Sequence, residues 1–245
     1  MSKVIGIASE GPTDYMVIKT VIDKITGEDN RYLSLQPEPD MLGRYGNGWK
    51  GVWRWCKETA PLEIIMDEIQ PRIDIIVIQI DGDVVRKERE VHCQCDSTRC
   101  EDKGKFFPLY CESAKSGCMA EVPCKSHETN VVSMMAHGET VIREALSTCD
   151  VKRVIITIPC DSTDAWVVAA YDDIDDVELV QDPWKNIIAK QKYYHDVRVR
   201  GDKKNTVTYS AFMETLANNW PKVAKKCESA RVFEHAILQS VGLKK

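Results

Sequence analysis

The sequence predicts an α/β fold: a mostly parallel sheet flanked by helices, with a cysteine-rich insertion and a helical C-terminal part. Three observations predict it. Short β-branched runs alternate with stretches of helical periodicity, the pattern of parallel strands covered on both faces and joined by right-handed crossovers. Apolar periodicity disappears over residues 86–130, where the window 92–125 is dominated by Cys, Ser, Lys and Glu. Beyond residue 184 the pattern is mostly one of short helices.

The first strand is the run Val4-Ile5-Gly6-Ile7-Ala8. After an acidic turn, Tyr15, Val17, Ile18, Val21, Ile22 and Ile25 recur at near-helical spacing, with Thr13 as the expected N-cap and Gly27 as the stop. Residues 29–48, rich in Asp, Asn, Pro and Gly, form an irregular connection around a short strand at Tyr32-Leu33-Ser34-Leu35. A helical pattern over 49–69 is interrupted at Pro61, with Trp53, Cys56, Leu62, Ile65 and Ile69 as core candidates. The run 73–80 is the next strand. Helical pattern returns over 131–149, and 151–158 is a strand ending at Pro159. Residues 160–166 then form a strand-to-helix turn, capped by Asp161 or Ser162, into a helix through Tyr171. Short helices follow over 184–194, 209–219, 221–227 and 230–241. The chain thus divides into an α/β domain over 1–184, bearing the insertion 86–130, and a basic, mainly helical extension over 185–245 that packs on it.

At 245 residues the chain can bury one substantial core. A net charge of −5 argues against indiscriminate nucleic-acid binding, but it is unevenly spread: residues 1–184 carry −13 and residues 185–245 carry +8. A basic segment beside an acidic site steers a polyanion; the plainer reading is a solvated helical face. Met1-Ser2-Lys3 leads directly into a strand, without a secretory pattern, and no apolar stretch approaches the ~20 residues that span a bilayer. These features predict a cytoplasmic protein with no membrane partner, whose ten cysteines are thiols or metal ligands rather than disulfides.

Two acidic elements carry the chemistry. Glu10-Gly11-Pro12-Thr13-Asp14 follows the first strand, and Asp81-Gly82-Asp83 follows the strand over 73–80. In open α/β sheets the carboxyl ends of strands meet in one crevice. Carboxylates crowded there hold protons at raised pKa or are neutralised by a cation, and a hard ion such as Mg²⁺ suits all-oxygen ligands. Asp14 lies one helical turn after Glu10, and Asp81 and Asp83 leave their strand on the same side. Gly11 is expected to let the backbone approach the crevice closely. The plain alternatives are a capped helix start and an Asp-Gly turn. An EF-hand is excluded by Val85 at the next ligand position. No Walker A, Rossmann or Gly-x-Ser-x-Gly element is present, so any ATP hydrolysis belongs to another chain.

Strand, Glu-Gly-Pro-Thr-Asp, helix, strand, Asp-Gly-Asp resembles the TOPRIM domain shared by topoisomerases and primases. The spelling of the first element is most similar to nucleases of the overcoming-lysogenization-defect family and to related uncharacterised TOPRIM proteins of bacterial defence loci. Asp164-Ala165-Trp166 resembles the acid-Ala-Trp element of the latter, and Cys227-Glu228-Ser229 through Phe233 their terminal Cys-x-Ser-x-x-x-Phe. The resemblance implies a Mg²⁺- or Mn²⁺-dependent nuclease acting on DNA or RNA, a defence effector working with an ATPase partner. Glu10 and Asp14 would be metal ligand and second ligand or general base; Asp81 and Asp83 would hold the metal, and Asp164 would be a further ligand. The nuclease family also uses a late lysine, for which Lys203 and Lys204 are candidates by position and charge only; the plainer reading of that stretch is an exposed hairpin or loop with solvated charges. The alternatives are a non-catalytic nucleic-acid-binding or assembly module, and nucleotidyl transfer. Homo-oligomerisation is left open.

His92, Cys93, Cys95, Cys100, Cys111, Cys118, Cys124 and His127 crowd a window too hydrophilic to fold by burial, which calls for structural Zn²⁺; their spacings leave the ligand set open. Free or redox-sensing thiols are the alternative. Cys56, Cys149, Cys160 and Cys227 sit in apolar patterns and read as packed residues. His137 and His235 read as structural; His195 is a candidate nucleic-acid contact. Trp49, Trp53 and Trp55 stack on bases or build core.

Overall fold

Four strands form one parallel sheet in the order β2-β1-β3-β4: β1 Val4–Ala8, β2 Arg31–Gln36, β3 Ile75–Gln79 and β4 Val154–Thr157. The computed structural model describes residues 2–37, 45–59, 62–84, 130–146, 153–189, 192–199 and 203–242. β3 lies between β1 and β4, is apolar on both faces up to Gln79 and is buried along its whole length, as expected of a strand covered by helices on each side. The register aligns the strand ends: Ala8 pairs with Ile78, and Gln79 pairs with Thr157. The residues after β1, β3 and β4 therefore leave the sheet at one edge.

Alternation along the strands builds two cores. Ile5, Ile7, Ile75, Val77 and Ile155 face α1 (Pro12–Thr26) and α5 (Thr163–Tyr171). Ala8, Ile76, Ile78, Ile80 and Val154 face α2 (Gly48–Glu58), α3 (Leu62–Glu68) and α4 (Val131–Ala145). Residues 163–170 of α5 are all buried, so that helix must be covered on its outer side too. α7 (Thr206–Asn218) and α8 (Trp220–Lys226) supply that cover, and α7 also packs on α1. α9 (Glu228–Ser240) contacts α1, α4 and β4, which shields the sheet at its β4 edge. Among the described residues no helix is long and apolar enough to cross a membrane.

Several local expectations are corrected. Thr13 does not cap α1: the helix begins at Pro12, whose fixed φ and missing N–H suit a first helical position, and Gly11 is the N-cap. The predicted stop holds, since Gly27 adopts φ 65° and its N–H donates to the Asp23 carbonyl (2.9 Å). In α2 the buried face is Trp49, Val52, Trp55 and Cys56, which leaves Trp53 partly buried. Ile65 and Ile69 are likewise only partly buried, and Leu62 and Met66 fill the core beside them. The helix predicted over 184–194 ends at Ile188 as α6 (Trp184–Ile188). Tyr193–Tyr194 instead forms β5, paired antiparallel with β6 (Val197–Arg198) across a turn in which His195 takes φ 50°. His195 is held there by Asp172: its Nε2 lies 2.8 Å from Asp172 Oδ1, and Tyr194 OH donates to Asp172 Oδ2 (2.7 Å).

Candidate functional site

The shared sheet edge brings the two acidic elements together. Asp81 N–H donates to Glu10 Oε1 (2.7 Å), which joins the β1 and β3 ends directly. Gln79 completes the link: its Oε1 accepts from the Glu10 N–H (3.2 Å) and its Nε2 donates to Asp81 Oδ1 (2.9 Å). Gln79 and Asp81, two residues apart along an extended segment, lie on the same side. The β4 end is tied in through backbone: Gly82 N–H donates to the Pro159 carbonyl (2.7 Å) and Asp83 N–H to the Asp161 carbonyl (2.9 Å). This approach requires a glycine, because a Cβ at position 82 would lie 2.7 Å from Cys160 Sγ and 3.1 Å from the Pro159 oxygen. Gly11 has no such role; its φ of −161° is ordinary extended backbone, and a Cβ there would make only normal contact with Asp14.

Asp14 and Asp164 enter from the first turns of α1 and α5. Thr163 Oγ1 donates to Asp14 Oδ1 (2.5 Å), bridging the two helix starts. Ser162 occupies the N-cap position of α5, but its hydroxyl donates to Asp164 Oδ2 (3.2 Å) rather than capping the backbone. Lys204, just before α7, forms an ion pair with the same carboxylate; Asp164 is 1% exposed and the lysine side chain 35%. Asp161 is also buried, its Oδ2 accepting from the Asp182 N–H (3.0 Å).

Three carboxyls of the site, Asp14, Asp81 and Asp164, hold protons more tightly than ordinary ones. Burial raises Asp81 well above the usual carboxyl range, and Glu10, Asp14 and Asp83 add to it, with Lys204 opposing. Burial also raises Asp14, against the Thr163 hydrogen bond and Lys204, and raises Asp164, against Lys204 and Ser162. For Lys204, burial works against the charge, yet Asp164, Asp81 and Asp14 outweigh it and its pKa is raised. One ammonium thus serves three carboxylates. Thr163→Val removes the bond that favours ionised Asp14 and is expected to cost about 1–3 kcal/mol at neutral pH. The variant raises Asp14 further, so the cost shrinks as pH falls and Asp14 protonates; urea unfolding at neutral and acidic pH checks it.

Of the sequence-predicted residues, Glu10, Asp14, Asp81, Asp83, Asp164 and Lys204 share this crevice. Lys203 is exposed, its carbonyl accepting from Asn205 Nδ2 (3.3 Å). His92, Cys93, Cys95, Cys100, Cys111, Cys118, Cys124 and His127, like Cys149, lie outside the described residues. Cys56, Cys160 and Cys227 are buried, as their apolar patterns predict. Gln79 and Thr163 escaped the sequence analysis. An amide inside an otherwise Ile/Val strand, two residues before Asp81, was the available signal for the first; nothing local marks the second.

The donor set is all hard oxygen, and buried Asp164 Oδ1 accepts no hydrogen bond among the described residues, so the residues fit Mg²⁺ or Mn²⁺ in donor type and charge. Among the described residues no group of three or more His, Cys, Asp or Glu stands at metal-ligand spacing. Glu10 Oε1 is engaged by the Asp81 amide, and Asp164 Oδ2 by Lys204.

No protein-family profile, curated protein or solved structure matches the chain.

Proposed function

We propose that this chain is a Mg²⁺- or Mn²⁺-dependent nuclease of TOPRIM type that hydrolyses phosphodiester bonds in DNA or RNA, and that it acts as an anti-phage effector with an ATPase partner. The observation that carries the reading is the meeting of Glu10, Asp14, Asp81, Asp83 and Asp164 with Lys204 where three adjacent parallel strands end. Buried like charge of this density destabilises a fold, and a cation site is the physical use that offsets it. Glu10, Asp81, Asp83 and Asp164 would hold the ion. When bound, the ion supplies Lewis-acid polarisation of a phosphoryl oxygen. Asp14, oriented by Thr163 and with a raised proton affinity, suits proton transfer. Lys204 supplies fixed positive charge toward the negative charge that builds on the phosphoryl group.

The test is cleavage of single- and double-stranded DNA, tRNA and total RNA with Mg²⁺ or Mn²⁺, comparing wild type with Glu10→Ala and Asp81→Ala. Cleavage lost in both folded variants supports the nuclease. A second reading, a non-catalytic nucleic-acid-binding or assembly module, is favoured by one observation: Lys204 already neutralises Asp164. Binding without turnover by wild type selects it.

The window 92–127 is part of the same proposal as a zinc-stapled insertion. Elemental analysis of the purified chain is expected to give about one equivalent of zinc or more, and chelation to unfold the segment. A content below roughly half an equivalent removes the staple.

A further inference from the structure

The crevice is acidic, and Lys204, which serves it from the α1/α5 side of the sheet, is engaged by Asp164. A polyanionic strand needs positive charge from another element. α2, on the opposite face of the sheet, begins against the site. Gly48 N–H donates to the Glu10 carbonyl (3.0 Å), and a Cβ at position 48 would lie 3.6 Å from Glu10 Oε2.

With Trp49, Val52, Trp55 and Cys56 turned into the core, the outer face of α2 carries Lys50, Arg54 and Lys57 together with Trp53, which rests partly buried against the core. These positions are i, i+3, i+4 and i+7, one continuous stripe about 10 Å long. Arg54 and Lys57 are exposed, and Lys50 and Trp53 are half-buried. The indole already carries one cation, Lys57 Nζ at 4.7 Å from the Trp53 ring centroid, while Lys50 Nζ lies 5.9 Å from the Trp49 ring centroid. Arg54 Nη1 donates to the Tyr45 carbonyl (3.4 Å), which steadies the guanidinium at the start of α2. A ring and three cations along one helix face match the two demands of a single strand, charge for the phosphates and an aromatic surface for an unpaired base.

We propose that the stripe of Lys50, Trp53, Arg54 and Lys57 is a binding surface for single-stranded DNA or RNA, leading the strand to Glu10 at the head of α2. The inference deepens the nuclease reading and rests on it for the strand's destination. Phosphates lie on the three cations, and one base stacks on Trp53.

The experiment is fluorescence anisotropy of the full chain with labelled oligo(dT) and oligo(U) of about 15 nucleotides, and with a duplex of equal length, over a salt series without added divalent ion. Trp53→Ala is expected to weaken single-strand binding about tenfold and duplex binding less. Trp53→Leu, which keeps an apolar side chain in the partly buried position, guards against a folding artefact. Neutralising all three cations as Lys50→Gln, Arg54→Gln and Lys57→Gln is expected to flatten the slope of log K against log salt by about 2. The two single strands separate a DNA ligand from an RNA one. Equal Kd and salt slope in the triple variant, or a wild type that binds no single strand, overturns the stripe. A wild type that binds but never cleaves, while the variants lose binding, keeps the stripe and removes the nuclease. Cleavage with unchanged KM in the triple variant keeps the nuclease and removes the stripe.

Discussion

Asp81→Asn is expected to abolish divalent-dependent cleavage, by about a hundredfold or more, while raising the melting temperature by a few degrees. Both effects follow from one carboxylate. Asp81 is 7% exposed and lies in the field of Glu10, Asp14 and Asp83. Asparagine keeps an oxygen for the Gln79 Nε2 bond, so the substitution removes charge without emptying the site. In the folded chain the Asp81 pKa lies above its unfolded value, so the native state holds the proton more tightly. Stability from that proton is complete below the unfolded pKa and is lost as pH rises through the folded one. The gain in Asp81→Asn, about 0.5–2 kcal/mol, is therefore largest at neutral and alkaline pH and fades toward the ordinary carboxyl range. Adding Mg²⁺ or Mn²⁺ is expected to raise the wild-type melting temperature at neutral pH and to leave the variant nearly unmoved. Scanning calorimetry of both chains across pH, with and without the ion, checks these outcomes. A variant that retains cleavage would falsify the proposed role of Asp81.

The sheet was legible because β1, β3 and β4 are short, nearly continuous apolar runs rich in Ile and Val, leaving no polar alternation for a surface strand to use. The acids were legible because they stand where such strands end. The features that escaped depend on distant partners. Thr163 meets Asp14 across 149 residues, and no local pattern records that. Lys203 and Lys204 are equal in sequence, and packing before α7 turns the second toward Asp164. Trp53 and Trp55 were indistinguishable by composition; the face of α2 that meets α4 chose Trp55. Tyr193–Tyr194 is too short to show a period, so a two-residue strand read as the end of a helix.

Trp166→Ala is expected to cost about 3–5 kcal/mol, a large share of the 5–15 kcal/mol that usually holds a domain together. The indole is fully buried, stacked on Phe233 at 5.7 Å between ring centroids and set edge-on to Trp220 at 5.5 Å. These partners come from α9 and α8, so the ring fastens the C-terminal helices to α5. Its Nε1–H donates to Ser229 Oγ (2.9 Å), which also accepts from the Cys160 N–H (3.4 Å) and donates to Glu178. The hydroxyl thereby uses its one donor and both lone pairs. Trp166→Phe separates the contributions: it keeps most of the ring packing but leaves Ser229 one donor short, at about 1 kcal/mol. Because Trp166 lies two residues from Asp164 and Ser229 holds the Cys160 amide, the alanine variant is also expected to loosen the loop that bears the candidate site. Urea unfolding followed by far-UV dichroism and by tryptophan fluorescence decides the point. One coincident, weakened transition means that α8 and α9 fold with the sheet as a unit; two transitions, the C-terminal one alone shifted, mean that they do not.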